Sequence, residues 1–231
     1  MTSLETTTPE KAIEPEYRAI LRKASYILLT IGVIDIAWTV YRFANNADGS
    51  ITINLVYLVC GLLLLWGGLR VASAIRWLTV LALGAYVASM LAVPIVQPWD
   101  LSLVQLRLAP QAFVYSLAYS LFIVALMLWL VFTLGKPAIV DARAAAGRPR
   151  RDMRIPAALG VGSMLVILVL TLLMLNGETA NKAKVMAEQQ TGPGYRYRVL
   201  AIQESTQSVT AIVTAWNDEQ VGNIQVNWEK P

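Results

Sequence analysis

Apolar residues are concentrated in five long stretches of the chain, and a short polar tail follows the last of them. A helix needs roughly 20 apolar residues to cross a bilayer core of about 30 Å. The five stretches have about that length, at residues 24–43, 51–69, 75–96, 113–134 and 155–175. The pattern predicts an all-α polytopic membrane protein with five transmembrane helices.

The tail, residues 176–231, has a different pattern. Residues 178–190 are polar and compatible with a helix, with Ala180, Ala183 and Ala187 on one side, and the Gly-Pro-Gly sequence at 192–194 stops it. Three runs of alternating apolar and polar residues follow, beginning at Tyr195, Val209 and Ile224. We expect a small extramembrane α+β domain, a helix with a three-stranded antiparallel meander.

These patterns divide the chain into five parts. We expect a flexible cytoplasmic tail at 1–23, a four-helix transmembrane core at 24–134, a basic cytoplasmic hinge at 135–154, the fifth transmembrane helix at 155–175 and the small domain at 176–231.

Charge sets the expected orientation. The chain is 56% hydrophobic and 15% charged, with a net charge of +4. Twelve of the nineteen Lys and Arg lie in the N-terminal tail and the second and fourth loops, which predicts a cytoplasmic N-terminus and a C-terminal domain outside. In a bacterium the membrane would be the cytoplasmic (inner) one. Because the excess charge follows the loops, it indicates contact with the lipid bilayer and no nucleic-acid partner. The residues expected at lipid headgroups are Arg148, Arg150, Arg151 and Arg154.

Small residues four positions apart predict where helices pack, because they let backbones approach closely in lipid. One stripe comprises Gly84, Ala88 and Ala92, and another comprises Ala112, Ser116 and Ser120. We interpret these stripes as intramolecular packing surfaces, with homo-oligomerisation as the alternative.

Asp35, in the first predicted helix, is the one acidic residue deep within a predicted span and should lie near the midplane of the bilayer. An ionised carboxylate is costly there, so it should face the bundle and protonate or find hydrogen-bond donors. Depth-matching suggests Tyr86, Tyr119 and Ser120 as its neighbours. The structural interpretation, an acid that holds helices together, is favoured over a proton- or cation-coupling carboxylate.

Between the third and fourth predicted spans, Pro94 and Pro98 end a helix. The leucines from 101 to 108 then predict a short amphipathic segment in the outer interface, anchored by Trp99. Substrate gating is the alternative role for this loop.

Histidine is absent from the chain and Cys60 is its single cysteine. The composition therefore excludes Ser-His and Cys-His nucleophilic pairs and His-containing zinc sites. We predict that the protein is not an enzyme and has neither a metal nor a cofactor.

We expect recognition to occur in the C-terminal domain, with Tyr195, Tyr197, Trp216 and Trp228 as partner-facing aromatic residues. The sequence favours a non-catalytic membrane protein, an accessory, scaffold, assembly or signalling subunit that presents this domain to a protein partner. A small proton- or cation-coupled transporter that uses Asp35 is the alternative. A membrane enzyme acting on lipid ranks last, because no nucleophile can be named.

Overall fold

The computed structural model describes residues 10–44, 55–148 and 151–229. The described part is mostly helical and ends in a three-stranded sheet. The elements are α1 (Glu10–Ala44), α2 (Val56–Trp66), α3 (Gly68–Val96), α4 (Trp99–Leu108), α5 (Pro110–Thr133), α6 (Pro137–Ala145), α7 (Arg154–Leu175), α8 (Glu178–Thr191), β1 (Arg196–Glu204), β2 (Ser208–Trp216) and β3 (Val221–Glu229).

Four of these helices, α1, α3, α5 and α7, are long and apolar enough to cross a membrane. They indicate a membrane-embedded protein. The predicted second span is not confirmed, because α2 has 11 residues and rises only about 16 Å at 1.5 Å per residue. Gly68, at a φ of +60°, separates α2 from α3. Residues 51–54 of that predicted span lie outside the described residues.

The first helix begins earlier than the hydropathy pattern predicted. Residues 10–23, which we assigned to a flexible tail, form the start of α1, whereas residues 1–9 lie outside the described part. Leu21, Ala24 and Leu28 are buried, and their helical spacing continues a packing stripe beyond the span. Packing on other helices, which hydropathy does not measure, extends the helix.

The chain divides into two compact units, and the first comprises Met1–Leu83 and Ala125–Ala158. Within it, α1 and α2 approach closely at two glycines. A Cβ added to Gly32 would lie 2.8 Å from Cγ of Leu58, and one added to Gly61 would lie 2.8 Å from Cγ of Leu29. The two pairs run in opposite order along the helices, so α1 and α2 are antiparallel. The hydroxyl of buried Ser25 also donates to the carbonyl of Gly61.

The predicted basic hinge, 135–154, contains a helix. α6 occupies Pro137–Ala145 and packs against α1. Ile139 is buried in the same apolar cluster as Leu21, Leu64 and Leu134. This segment is therefore part of the first unit's core.

The second unit comprises Gly84–Val124 and Leu159–Pro231. Its sheet has the order β1-β2-β3, with both pairs antiparallel, so the predicted meander is confirmed. Tight turns join the strands, with backbone bonds from Ser205 to Ser208 and from Asn217 to Gln220. The leucine-rich segment that was predicted to be amphipathic forms the helix α4, with Leu101 and Val104 buried. Its predicted place in the outer interface stays a prediction.

Candidate functional site

The C-terminal module consists of α8 and the three strands. Ala180, Ala183 and Ala187 of α8 are fully buried and lie on one side of that helix, as the sequence predicted. They pack with Val199, Ala211, Val213 and Val226 of the sheet. Because alanine has only a methyl side chain, the helix lies close to the strands and covers this face of the sheet.

A β-bulge changes which residues of β1 face α8. The alternation predicted Ala201 on the same face as Val199, but the register shifts between them, and Ala201 pairs with Ile212. Ala201 is exposed and Ile202 packs against the buried cluster. The extra residue in β1 therefore places a larger apolar side chain over the core, a shift that a period of two does not anticipate.

The sheet is joined to α4 through the Asp100 carboxylate. Oδ2 of Asp100 accepts a hydrogen bond from Arg196 in an ion pair, and it lies 3.4 Å from the indole Nε1 of Trp216. The Arg196 hydrogen bond holds the pKa of Asp100 below its usual value, and the Trp216 hydrogen bond and Arg196 charge add to this effect. Asp100 also stands in the first turn of α4, where the helix dipole favours a negative charge.

Apolar contacts surround the same junction. The ring of Trp216 is only 4% exposed and packs with Leu101 and Val104 of α4. Gln97, which precedes α4, and Gln105, in the second half of that helix, are hydrogen bonded at 2.9 Å. The module is thus attached to α4 by a buried aromatic side chain and a charged pair at its rim.

On the rest of the face opposite α8, Thr214 is buried, whereas the next residue of β2 on that face, Ile212, is exposed. Ile212 lies between two inward-facing residues of β2 and is 40% exposed. Polar cross-strand bonds flank it, from Thr214 to Asn223 at 3.0 Å and from Thr210 to Asn227 at 3.4 Å. Partial burial lowers the pKa of Arg198 on β1. We call the surface around Ile212, Arg198, Thr210 and Asn227 the open face.

The predicted partner-facing aromatic residues make contacts inside the module. The hydroxyl of Tyr195 donates to Gln220 at 3.1 Å, and that of Tyr197 donates to the carbonyl of Gly192. The ammonium of Lys182 lies 5.5 Å from the centre of the Trp228 ring, a cation–π geometry. Their predicted contact with a partner, and that of buried Trp216, stays a prediction.

Asp35 belongs to the first unit, and its backbone carbonyl accepts a hydrogen bond from Thr39 at 2.9 Å. Tyr86, Tyr119 and Ser120 belong to the second unit. The predicted intramembrane cluster therefore stays a prediction.

Of the predicted packing stripes, Ala92 is buried, Gly84, Ala88 and Ser120 are half-buried, and Ala112 and Ser116 are exposed. The close approaches at Gly32 and Gly61 were missed by the sequence analysis. The glycines themselves were a signal. Glycine within a helix costs about 1 kcal/mol relative to alanine, so its presence in a predicted span indicates a close contact that a larger side chain would block.

Among the arginines predicted at lipid headgroups, Arg148 is half-buried and Arg151 and Arg154 are exposed, whereas Arg150 lies outside the described residues. Within the described ranges, groups of three or more His, Cys, Asp or Glu that could hold a metal ion are not found. No protein-family model matches the chain, and comparison with curated proteins and with solved structures gives no significant similarity either.

Proposed function

We propose that this protein is a non-catalytic membrane subunit that presents its C-terminal module to a protein partner outside the membrane. The open face of the sheet carries the proposal. One side of the sheet is covered by α8, whereas the other leaves a large apolar side chain, Ile212, at the surface between polar ladders. A centre of this kind with a hydrogen-bonding rim is typical of a protein-binding surface.

The attachment to α4 supports display of the module. Trp216 is buried against α4, and Asp100 bonds to both Trp216 and Arg196. The sheet is therefore held by contacts with α4 as well as by the chain that leads into it. A surface that is held in place loses less entropy on binding. Arg198 on β1 favours a partner with carboxylate groups opposite it.

The outer edges of β1 and β3 add a second means of recognition. In the order β1-β2-β3, each of these strands pairs on one side only within the described residues. An extended partner segment can add to such an edge through backbone hydrogen bonds. The bulge in β1 interrupts its ladder between Val199 and Ala201, so β3 is the better edge.

The proposed orientation has its own test. Cys60 is the single cysteine, so Cys60→Ser gives a background for Gln207→Cys in the β1–β2 turn and Ala146→Cys after α6. In intact cells, a membrane-impermeant maleimide should label the first site and leave the second unlabelled. The reverse pattern would place the module on the cytoplasmic side and refute this orientation.

Site-specific photocrosslinking tests the partner. A benzoylphenylalanine placed at Ile212 in the full chain should yield one reproducible heterologous adduct in native membranes. The matched control is Val185 on α8, which is 53% exposed and lies on the other side of the module. Adducts of equal yield and composition at both positions, or adducts with copies of this chain alone, would contradict the proposal.

A further inference from the structure

A concave site lies in the first unit, where Arg76 of α3, Gly135 after α5, residues of α6, and Arg148, Arg151 and Met153 line one cavity. Its volume is about 440 Å³, within the roughly 300–1,000 Å³ of small-molecule sites. Four arginines line it, Arg76, Arg143, Arg148 and Arg151, with Asp141 as the one acidic side chain among the lining residues.

The end of α6 brings two of the arginines together. Gly147 has a φ of +70°, its N–H bonds to the carbonyl of Ala144 at 2.9 Å, and the N–H of Arg148 bonds to the carbonyl of Arg143 at 3.1 Å. This pair of bonds is a Schellman motif, which turns the chain back at the end of a helix. Arg148 is thereby held beside Arg143.

Gly135 positions the third arginine. A Cβ at this glycine would lie 2.6 Å from a terminal nitrogen of Arg76 and 2.9 Å from its Cζ. The Arg76 guanidinium therefore lies directly over the Gly135 backbone, in space that any other residue would occupy. The Arg76 side chain of α3 thereby lines the same cavity as the residues of α6.

Three of the four arginines that line the pocket are partly withdrawn from water, and Asp152 lies beyond the lining residues. Asp152 accepts a hydrogen bond from the backbone N–H of Arg154 at 2.8 Å, at the start of α7. Arg76, Arg143 and Arg148 are half-buried. Burial lowers the pKa of Arg143, and the charges of Arg151 and Arg148 lower it further. Like charges held together in a partly desolvated site repel each other, and an anion placed between them reverses this cost.

We propose that this pocket binds a phosphate group. Guanidinium groups form paired hydrogen bonds with phosphate oxygens, and several converging arginines suit an anion with more than one charge. The group could be supplied by an anionic phospholipid headgroup or by a free phosphate compound. The proposal goes beyond diffuse contact of basic residues with a lipid surface, because it assigns Arg76 and Arg143 to the site and excludes Arg154, which does not line it.

Two probes distinguish the sources, both with the full chain in neutral detergent. Native mass spectrometry measures retention of phosphatidylglycerol against phosphatidylcholine. Thermal unfolding measures stabilisation by inorganic phosphate against sodium chloride at equal ionic strength, since a ligand of the folded state raises the melting temperature. Arg143→Gln with Arg148→Gln should weaken binding of the effective probe by about tenfold or more, as lost charge-assisted bonds do.

The matched control removes the same charge outside the pocket, with Arg70→Gln and Arg154→Gln, both exposed. Gly135→Ala displaces Arg76 without changing any charge and should also weaken binding. Arg143→Lys keeps the positive charge but loses the paired N–H donors of the guanidinium, so it should bind the probe less tightly. This variant still tests the proposal if the double variant fails to fold.

Loss of binding that is confined to the pocket variants supports the proposal. If the variants lose phosphatidylglycerol, the phosphate group comes from a lipid; if they lose stabilisation by inorganic phosphate, it comes from a free compound. Equal losses in the control pair, or failure of both probes to bind the unmodified protein, would overturn it.

Discussion

The indole Nε1 of Trp216, the last residue of β2, lies 3.4 Å from Oδ2 of Asp100, in the first turn of α4. These residues are 116 positions apart in sequence. The same oxygen accepts a hydrogen bond from Arg196. One carboxylate therefore joins two strands to α4, although four helices, α5 to α8, separate them in the chain. This junction holds the proposed recognition module in place.

Removing the Trp216 ring should detach the module from α4. Trp216→Ala removes a buried aromatic side chain, a change that costs about 3–5 kcal/mol, whereas Trp216→Phe keeps most of the packing and loses only the N–H donor. Hydrogen exchange measured by mass spectrometry should show faster exchange in α4 and β2 for the first variant and a smaller change for the second. Protection in α4 that is unchanged in Trp216→Ala would contradict the role of this contact.

The contact of Asp100 with Arg196 and Trp216 should weaken when the solution is made acidic. Because the folded pKa of Asp100 is lowered, its contribution is fully present above the unfolded value of about 3.9 and is lost as the pH falls through the lowered value. The indole N–H NMR signal of Trp216, assigned by its loss in Trp216→Phe, should shift only below about pH 4. Asp100→Asn should abolish that shift, whereas Asp218→Asn in the exposed turn should leave it in place.

The glycine contacts between α1 and α2 should be intolerant of a single methyl group. Gly61→Ala places a Cβ 2.8 Å from Cγ of Leu29, and such overpacking costs about 1–3 kcal/mol. Thermal unfolding in detergent should report the loss. Gly162→Ala in α7 is the control, since a Cβ there meets no atom within 4 Å.

A double-mutant cycle tests the same contact directly. Leu29→Ala should recover part of the stability lost in Gly61→Ala, because the two changes share one contact. Strict additivity of the two effects would show that the loss arises elsewhere.

Asp35 separates the proposed function from the transporter alternative. We expect proteoliposomes with the unmodified protein and with Asp35→Asn to have the same proton and sodium flux as empty liposomes. The crosslink from position 212 should also be unchanged by this substitution. A flux above background that Asp35→Asn abolishes would favour the transporter instead.

The sequence predicted elements best where one physical signal dominates. Long apolar runs predicted both ends of α5 and α7 and the end of α3 to within a few residues, whereas α3 begins at Gly68, before its predicted start at residue 75. The agreement is good because the bilayer sets the length of a membrane-crossing helix. The prediction was less accurate for α1 and α2. The buried stripe through Leu21 extends α1 beyond its apolar run, and Gly67 and Gly68 shorten α2.

The candidate sites were anticipated only in part. Basic character after α5 was evident, but the inclusion of Arg76 in one pocket with Arg143 depends on the empty space at Gly135. Likewise, the aromatic residues of the tail were noted, but the burial of Trp216 required Leu101 and Val104 of α4. Contacts between residues far apart in sequence leave no periodic signal.

Long apolar helices followed by a helix and a three-stranded meander could be predicted from the residues alone, because hydropathy and period-two alternation are local properties of the chain. Three features became visible only in the folded chain: Asp100 joins the sheet to α4, a bulge turns Ile202 inward, and arginines from α3 and α6 line one cavity. Those outcomes depend on packing and charge between distant segments, which become neighbours only when the chain folds.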